Sequence, residues 1–324
     1  PIYMGFLMTE PNSISCTQLA ETYNISHDSV NRFLEREDYT PHDLYQEAIQ
    51  HIDNNKLIVS IDDTVLDKPY SQHMDLVSYF WSGKHHRSVK GINLITLYAT
   101  DQNGQNIPIN FRIYDKSEGK TKNDYFMDML SEVLSWGAKI QFITGDSWYS
   151  STGNLKTIRK YGIRFMFGID CNRKVSPEKG QWFQLRLLPN FHQGQVVWLK
   201  DFGFVQLFKT QLKEQQRFYI VHQDEDDLLS FEGFHELHSS HWKIEQYHRV
   251  IKQVCHIEKF QVRRSKLILN HIFSALMAYV EIQKNQFERI FENVYRWQKK
   301  LFRPIIKNFI DDFILDKNHL LPQR

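Results

Sequence analysis

The sequence predicts an α/β fold: a mixed sheet flanked by helices, with a β-rich insertion and a helical N-terminal segment. Three observations predict it. Short apolar runs ending in turn residues or carboxylates alternate with segments of helical period. Their order, three strands, helix, strand, helix, strand, joins an antiparallel hairpin side to βαβ connections. The stretch 171–222 then shows strand-like alternation with no helical period. Aromatic residues make up 14% of the chain, with 23 Phe and 15 Tyr, which also favours a substantial β component.

The elements follow in order. Thr17 to Leu34 holds two short helical patterns around Asn24-Ile25-Ser26, with Leu19 and Tyr23 on one apolar face and Val30, Phe33 and Leu34 on the other. Ser26 suits the N-cap of the second. The pair reads as helix-turn-helix-like, or as a plain helical pair. Leu57 to Ile61 is a buried strand running into Asp62-Asp63-Thr64. Gly91 to Thr100 and Ile107 to Tyr114 form a hairpin about the Asn-Gly turn at Asn103-Gly104. Phe126, Met129, Leu130, Val133 and Leu134 make one stripe of a helix that Gly137 stops. Lys139 to Thr144 is a strand ending at Gly145-Asp146, Asn154 to Tyr161 a short helix, and Arg164 to Ile169 a fifth strand. This order matches the ribonuclease-H-like fold. Helices return near Ser240, after an acidic stretch at Asp224 to Asp227 that reads as a solvated loop. The expected divisions are a helix-turn-helix-like DNA-binding segment (1–52), the first part of a ribonuclease-H-like catalytic domain (53–170), the β-rich insertion (171–222), the C-terminal part of that domain (223–285) and a basic helical tail (286–324).

The chain has 324 residues, enough for one large domain with additions or for two. Its 41% hydrophobic and 24% charged residues describe a packed globule and exclude wholesale disorder. Net charge is only +2, but cations are clustered. Between His241 and Lys266 stand Lys243, Arg249, Lys252, Lys259, Arg263, Arg264 and Lys266 against Glu245 and Glu258. Arg296, Lys299, Lys300, Arg303 and Lys307 form a second cluster. Such clusters are either phosphate-binding faces or solvated helix surfaces. Cys16, Cys171 and Cys255 lie far apart, so neither a cysteine zinc site nor a disulfide framework is implied. The opening PIYMGFLMTE has no signal-peptide pattern and no initiator Met, which leaves room for a natural start upstream. Leu267 to Ile282, the longest apolar stretch, is interrupted by Asn270, His271 and Ser274 and reads as a buried helix rather than a membrane span.

Chemistry concentrates at three places. Asp62 and Asp63 end the first strand and Asp146 follows the fourth; carboxylates at strand ends of an open sheet collect at one edge. Hard oxygen ligands of this kind suit Mg²⁺ or Mn²⁺. A single Asp there is more often a turn or cap residue, but two on neighbouring strands point toward a metal. In HWKIEQYHRVIKQ, Glu245, His248, Arg249 and Lys252 share one helical face, while Ile244, Tyr247 and Ile251 share another that can pack on the sheet. That face would complete a metal site beside phosphate-holding cations, or is an ion-paired surface. Lys84, Arg87 and Lys90 form a candidate DNA-contacting loop or a solvated one. Trp148 either stacks on a base or packs in the core. The run His235-Glu-Leu-His238-Ser-Ser-His241 departs from the HExxH zinc spacing.

SIDDTVLDKPYS, ITGDSWYSS and HWKIEQYHRVIKQ resemble the three signatures of DDE transposases of bacterial insertion sequences, the cut-and-paste group with a β-rich insertion in a ribonuclease-H-like domain. The resemblance covers roughly Leu57 to Lys266. It implies Asp62, Asp146 and Glu245 as catalytic metal ligands. The family's Asp-x-Thr pattern selects Asp62, with Thr64 matching, and leaves Asp63 as the alternative. The family motif Tyr, two residues, Arg, three residues, Glu, six residues, Lys is matched by Glu245 and Lys252, but His238 and His241 stand at its Tyr and Arg positions. Lys252, Arg249, His241, His238, Lys84, Arg87, Lys90, Arg263 and Arg264 become the candidate DNA contacts. The resemblance further implies two Mg²⁺ or Mn²⁺ ions, cleavage at terminal inverted repeats, strand transfer into target DNA, a homodimer on double-stranded DNA, and a cytoplasmic, nucleoid-associated protein without membrane contact. A nuclease or resolvase of the same fold without strand transfer, and a decayed transposase that only binds DNA, are the alternatives.

Overall fold

In the computed structural model, β1 (Leu57–Asp67) is the strand around which the rest is arranged. The structure describes residues 1–10, 15–83, 85–212, 215–222 and 227–320, except for the side chains of 212, 215 and 313–320. Lys84 and residues 224–226 of the acidic stretch therefore lie outside the described residues. β1 pairs antiparallel with β3 (Arg87–Thr100) and parallel with β5 (Ile140–Gly145). β4 (Asn106–Ile113) adds antiparallel to β3, and β6 (Arg164–Ile169) adds parallel to β5. The order β4-β3-β1-β5-β6, an antiparallel meander continued by two parallel crossovers, is the ribonuclease-H-like arrangement expected from the sequence. A central strand buried on both faces should be apolar throughout, and β3 is buried from Gly91 to Thr100.

The sheet does not stop at β6. β7 (Lys174–Ser176), β8 (Phe183–Gln184), β9 (Gln195–Leu199), β10 (Gly203–Leu212) and β11 (Gln215–His222) continue it, with β11 antiparallel to β6. The strand-rich stretch expected over 171–222 thus extends the same sheet. At the other end, β2 (Ser78–Ser82) pairs with the first residues of β3 as an edge hairpin. No strand signal marks this stretch, because only Phe80 and Ser82 face inward on so short an edge.

Helices cover both faces. α5 (Lys122–Ser135) opens on a capping box between Thr121 and Asp124, and α6 (Thr152–Lys160) follows β5. α7 (Phe231–Gln253) follows a Ser230 cap and begins nine residues before Ser240. Gly233 and the polar run after it hide the helical period of its first turns, but Phe234 stacks on Phe208 with ring centroids 4.4 Å apart, and Leu237 joins the same small cluster. Farther along, Ile244, Tyr247 and Ile251 pack fully buried in the main core, each contributing about 1.5–3 kcal/mol. Two anchorages under one helix fix its rotation, and with it the direction of Glu245.

α8 (Ser265–Phe287) is the buried helix expected at 267–282; among the described residues no helix is long and apolar enough to cross a membrane. The N-terminal helices α1 (Ile2–Thr9), α2 (Cys16–Tyr23), α3 (His27–Arg36) and α4 (Pro41–Ala48) share the main core. α2 and α3 meet at Asn24, which takes a left-handed conformation, and Ser26 caps α3. Asn270 of α8 donates to the carbonyls of Leu34 and Glu37, tying α3 to the body. α9 (Val294–Leu320) ends the described chain.

Candidate metal centre at the carboxyl edge of the sheet

The parallel register sets the geometry. Ile61 of β1 lies beside Gly145, the last residue of β5, so Asp146 leaves β5 at the level of Asp62, which stands midway along β1 rather than at its end as the sequence suggests, because pairing with β3 carries the strand on to Asp67. Gly145 is needed for that approach. A Cβ there would sit 2.6 Å from Phe167 Cε1 and 2.7 Å from Ile61 Cγ2. Asp146 then caps a single 3-10 turn, accepting from the Trp148 N–H at 2.9 Å.

Successive side chains of a strand point to opposite faces, and this separates the two candidate aspartates. Asp63 turns toward α5 and is fully bonded. Its carboxylate accepts from Asn93 Nδ2 at 2.6 Å, Lys122 Nζ at 2.6 Å and Tyr149 OH at 2.9 Å. Asp62 turns toward α7. Its Oδ1 accepts only the Asp63 N–H among the described contacts, at 2.8 Å, and its Oδ2 lies 3.6 Å from His248 Nδ1. Asp62, Glu245 and His248 each offer a ligand atom, all within 4.8 Å of one another. In the sequence His248 shares the Glu245 face but carries no assigned role; its spacing three residues after Glu245 is the signal available there.

Electrostatics agree with a cation-seeking site. Burial, then the charges of Asp146, Asp63 and Glu245, pushes the Asp62 carboxyl well above the usual carboxylate range. Asp146 is raised to about 6 by the protein packed around its carboxyl and then by Asp63, against the N–H groups of Trp148 and Tyr149 and the Lys122 ammonium. Burial lowers His248 to about 3, so its imidazole is neutral near pH 7 and able to ligate. Its Nε2 is buried and has no hydrogen-bond partner among the described residues. Two converging carboxylates, Asp62 and Glu245, with the neutral His248 imidazole, suit a divalent cation of borderline or hard character; Asp146 lies outside that group but near enough for its charge to raise Asp62.

The other candidates scatter. His241 Nδ1 is 3.1 Å from Thr144 Oγ1, which in turn is 2.8 Å from Ser60 Oγ, and burial lowers its pKa to about 4. His238 Nε2 lies 3.0 Å from Tyr219 OH, and burial lowers its pKa too. Both imidazoles thus face the sheet. Lys252 Nζ donates to the Val65 carbonyl at 2.6 Å. Arg249 is exposed and lines a groove with Lys243, Gln246 and Tyr295. Arg87 is exposed at the tip of the β2–β3 hairpin, whereas Lys90 Nζ donates to the Ser71 carbonyl at 2.5 Å. Arg264 pairs with Glu35 at 2.7 Å, and Arg263 is exposed beside it. Trp148 is 62% exposed, so the core-packing reading of this residue is excluded.

A strand order of this kind, with carboxylates converging at the carboxyl edge, defines a ribonuclease-H-like enzyme of the metal-dependent class. The chain belongs to the transposase DDE domain family, whose match spans residues 53–280. No curated protein matches it. Similar solved structures include an Argonaute of Marinitoga piezophila in complex with 5′ OH guide RNA and target DNA, at 9% identity and a TM-score of 0.23 over 66% of this chain. They also include the NurA nuclease from Sulfolobus solfataricus, at 11% identity and a TM-score of 0.25 over 85% of this chain and 94% of that one. The chain spans only 28% of the Argonaute's length. Similarity at that level says nothing of activity, and the fold rests on the strand order instead.

Proposed function

We propose that this transposase cleaves DNA strands at the ends of its element and joins them to target DNA, holding Mg²⁺ or Mn²⁺ on Asp62, Asp146 and Glu245. The observation that carries this reading is the convergence within 4.8 Å of donor atoms of Asp62 on β1 and of Glu245 and His248 on α7, beside the parallel strand β5 that Asp146 directly follows. Asp62 is preferred to Asp63 because the latter's oxygens are already taken by three donors. His248 joins as a neutral ligand. Bound in pairs, such ions supply Lewis acidity to the attacking and leaving oxygens of an in-line displacement.

The chain's own residues do the positioning. Asp63, braced by Lys122, Asn93 and Tyr149, fixes the backbone on which Asp62 sits. In the first step water attacks a phosphorus at the element's end and the 3′ oxygen leaves with a proton. In the second, that freed 3′-hydroxyl attacks a target phosphodiester and expels a target 3′ oxygen. Trp148, exposed two residues beyond Asp146, packs against a base of the strand being cut. Phosphate contacts fall to exposed Arg87, Arg249 and Arg263, with double-stranded DNA as the partner and two copies on paired ends.

The test is nicking of supercoiled plasmid bearing the element's ends, followed by assay for joined products. Wild type nicks in Mg²⁺ or Mn²⁺, and Asp62→Asn, Asp146→Asn and Glu245→Gln each lose at least a thousandfold, on the scale of removing a key electrostatic group. Nicking without joined products would replace this reading by a nuclease or resolvase. Wild type inactive with both metals, while still binding DNA, would replace it by a decayed transposase.

A further inference from the structure

We infer that His241, acting through Thr144 and Ser60, is a positioning residue for the metal ligands of α7, a role that rests on the metal-site reading and deepens it. Three layers of side chains climb the face between α7 and the parallel strands β1 and β5, where Ile58 lies beside Phe142 and Ser60 beside Thr144. The lowest layer is apolar: Phe142 shares a small cluster with Phe234 and Leu237 of α7, and Ile58 packs against it. Two residues along each strand, the next layer is polar. Ser60 Oγ lies 2.8 Å from Thr144 Oγ1, which lies 3.1 Å from His241 Nδ1. Two residues farther stand Asp62 and, just past the end of β5, Asp146; one helical turn after His241 stands Glu245. Two strand residues advance about 6.6 Å and four helical residues about 6 Å, so helix and strands climb in step. α7 runs in the direction of β1: beyond His241, His248 Nδ1 lies 3.6 Å from Asp62 and Lys252 Nζ donates to the Val65 carbonyl at 2.6 Å.

The polar layer decides what the apolar one leaves open. Apolar contacts fix which side of α7 meets the sheet but tolerate small slides along it, because burial of apolar surface is non-directional. Hydrogen bonds do not: they weaken steeply once the donor angle falls below about 120°. Ser60 and Thr144 are 1% and 0% exposed, so a slide of α7 that broke the chain would strand buried hydroxyls where no water replaces the lost partner. With His241 neutral, either tautomer completes the chain. Thr144 donates to a bare Nδ1 while accepting from Ser60, or the Nδ1–H donates to Thr144 while Thr144 donates to Ser60. A fully paired buried chain of this kind specifies one arrangement of the elements it joins. It joins β1, β5 and α7, the elements that bring Asp62, Asp146 and Glu245 to the site, one layer beneath those carboxylates.

Mn²⁺ titrated into the metal-free full chain, with the free ion read by electron paramagnetic resonance, tests this. Each variant is measured well below the Tm that circular dichroism gives for it, so that only folded protein is compared. His241→Phe keeps a ring but no ring nitrogen and is expected to weaken the apparent Kd by about tenfold, the lower end of what outer partners of metal ligands contribute. Thr144→Val keeps the shape, removes the hydroxyl and is expected to weaken it to the same degree. The two changes together should weaken it no further, since either alone breaks the chain. His241→Asn, whose amide places a hydrogen-bonding atom near the position of Nδ1, should recover most of the loss. A lowered Tm with unchanged Mn²⁺ affinity in His241→Phe and Thr144→Val would make the chain a structural tie alone and overturn the inference, as would additive losses or no recovery by Asn. A wild type that binds Mn²⁺ no better than Asp62→Asn would instead overturn the metal-site reading, and this inference with it.

Discussion

Asp62 and Asp146 have carboxyl groups whose pKa values are raised in the folded chain, and the sign of the consequence is fixed. Between the ordinary carboxylate value of 3.8 and about 6, the folded state holds more protons at Asp146 than the unfolded state does. The derivative of stability with pH is then negative, so this contribution is present at low pH and is lost as pH rises through about 6. The metal-free protein is therefore expected to gain thermal stability from the site as pH falls from 7.5 to 5. A divalent ion supplies at neutral pH the positive charge that protons supply in acid, and competes with them for the same oxygens. Added Mn²⁺ should raise Tm clearly at pH 7.5 and little at pH 5, and Asp146→Asn should flatten both effects. Equal metal-induced shifts at the two pH values, measured by calorimetry, would deny these carboxylates a role in binding. At this scale the sequence spoke only in part. Adjacent Asp62 and Asp63 are equivalent in any local pattern; which one is bonded away depends on the face that receives Lys122 and Tyr149, residues about sixty and ninety positions distant in the chain.

The elements were more legible where one strong signal sufficed. The apolar run of β5 ends just before Asp146 as expected, and α5 and α8 follow their stripes, whereas β1 continues past Asp62 and Asp63 to Asp67, with Val65 and Leu66 buried. β2 and the first turns of α7 were missed, since an edge strand of five residues and a helix start with Gly233 and clustered histidines lack a period. The strand-end Gly145 looked like simple punctuation but governs how closely β5 packs. Gly145→Ala puts a methyl within 2.7 Å of buried Phe167 and Ile61 atoms, neither of which is a flexible side-chain end. Overpacking of this kind costs about 1–3 kcal/mol. The relief available to β5 is a shift away from β1, which carries Asp146 with it. Urea denaturation should show the lowered midpoint, and nicking should fall further than the loss of folded protein explains. An unchanged midpoint together with unchanged nicking would mean that the strand ends can separate freely.

For the molecule as a whole, net charge of +2 supplies almost no general attraction to DNA, so binding must come from local cations. Sequence clustering named Arg263 and Arg264 alike, and only the folded chain distinguishes them. Arg264 is committed to Glu35 at 2.7 Å, whereas Arg263 is exposed on the loop before α8. A phosphate contact releases condensed counterions, and the logarithm of affinity falls with the logarithm of salt by about 0.9 per phosphate neutralised. Arg263→Ala should therefore weaken binding to every sequence alike and reduce that slope by about 1. Arg264→Ala removes a cation whose charge Glu35 already offsets, and frees that carboxylate to repel the backbone. Its affinity loss should come with a smaller change in slope and should be largely recovered by Glu35→Gln. Fluorescence anisotropy across a salt series reads both quantities. Equal slopes for wild type and Arg263→Ala would place the DNA on another face of the molecule, and the exposed tip of the β2–β3 hairpin at Arg87 would be the next place to look.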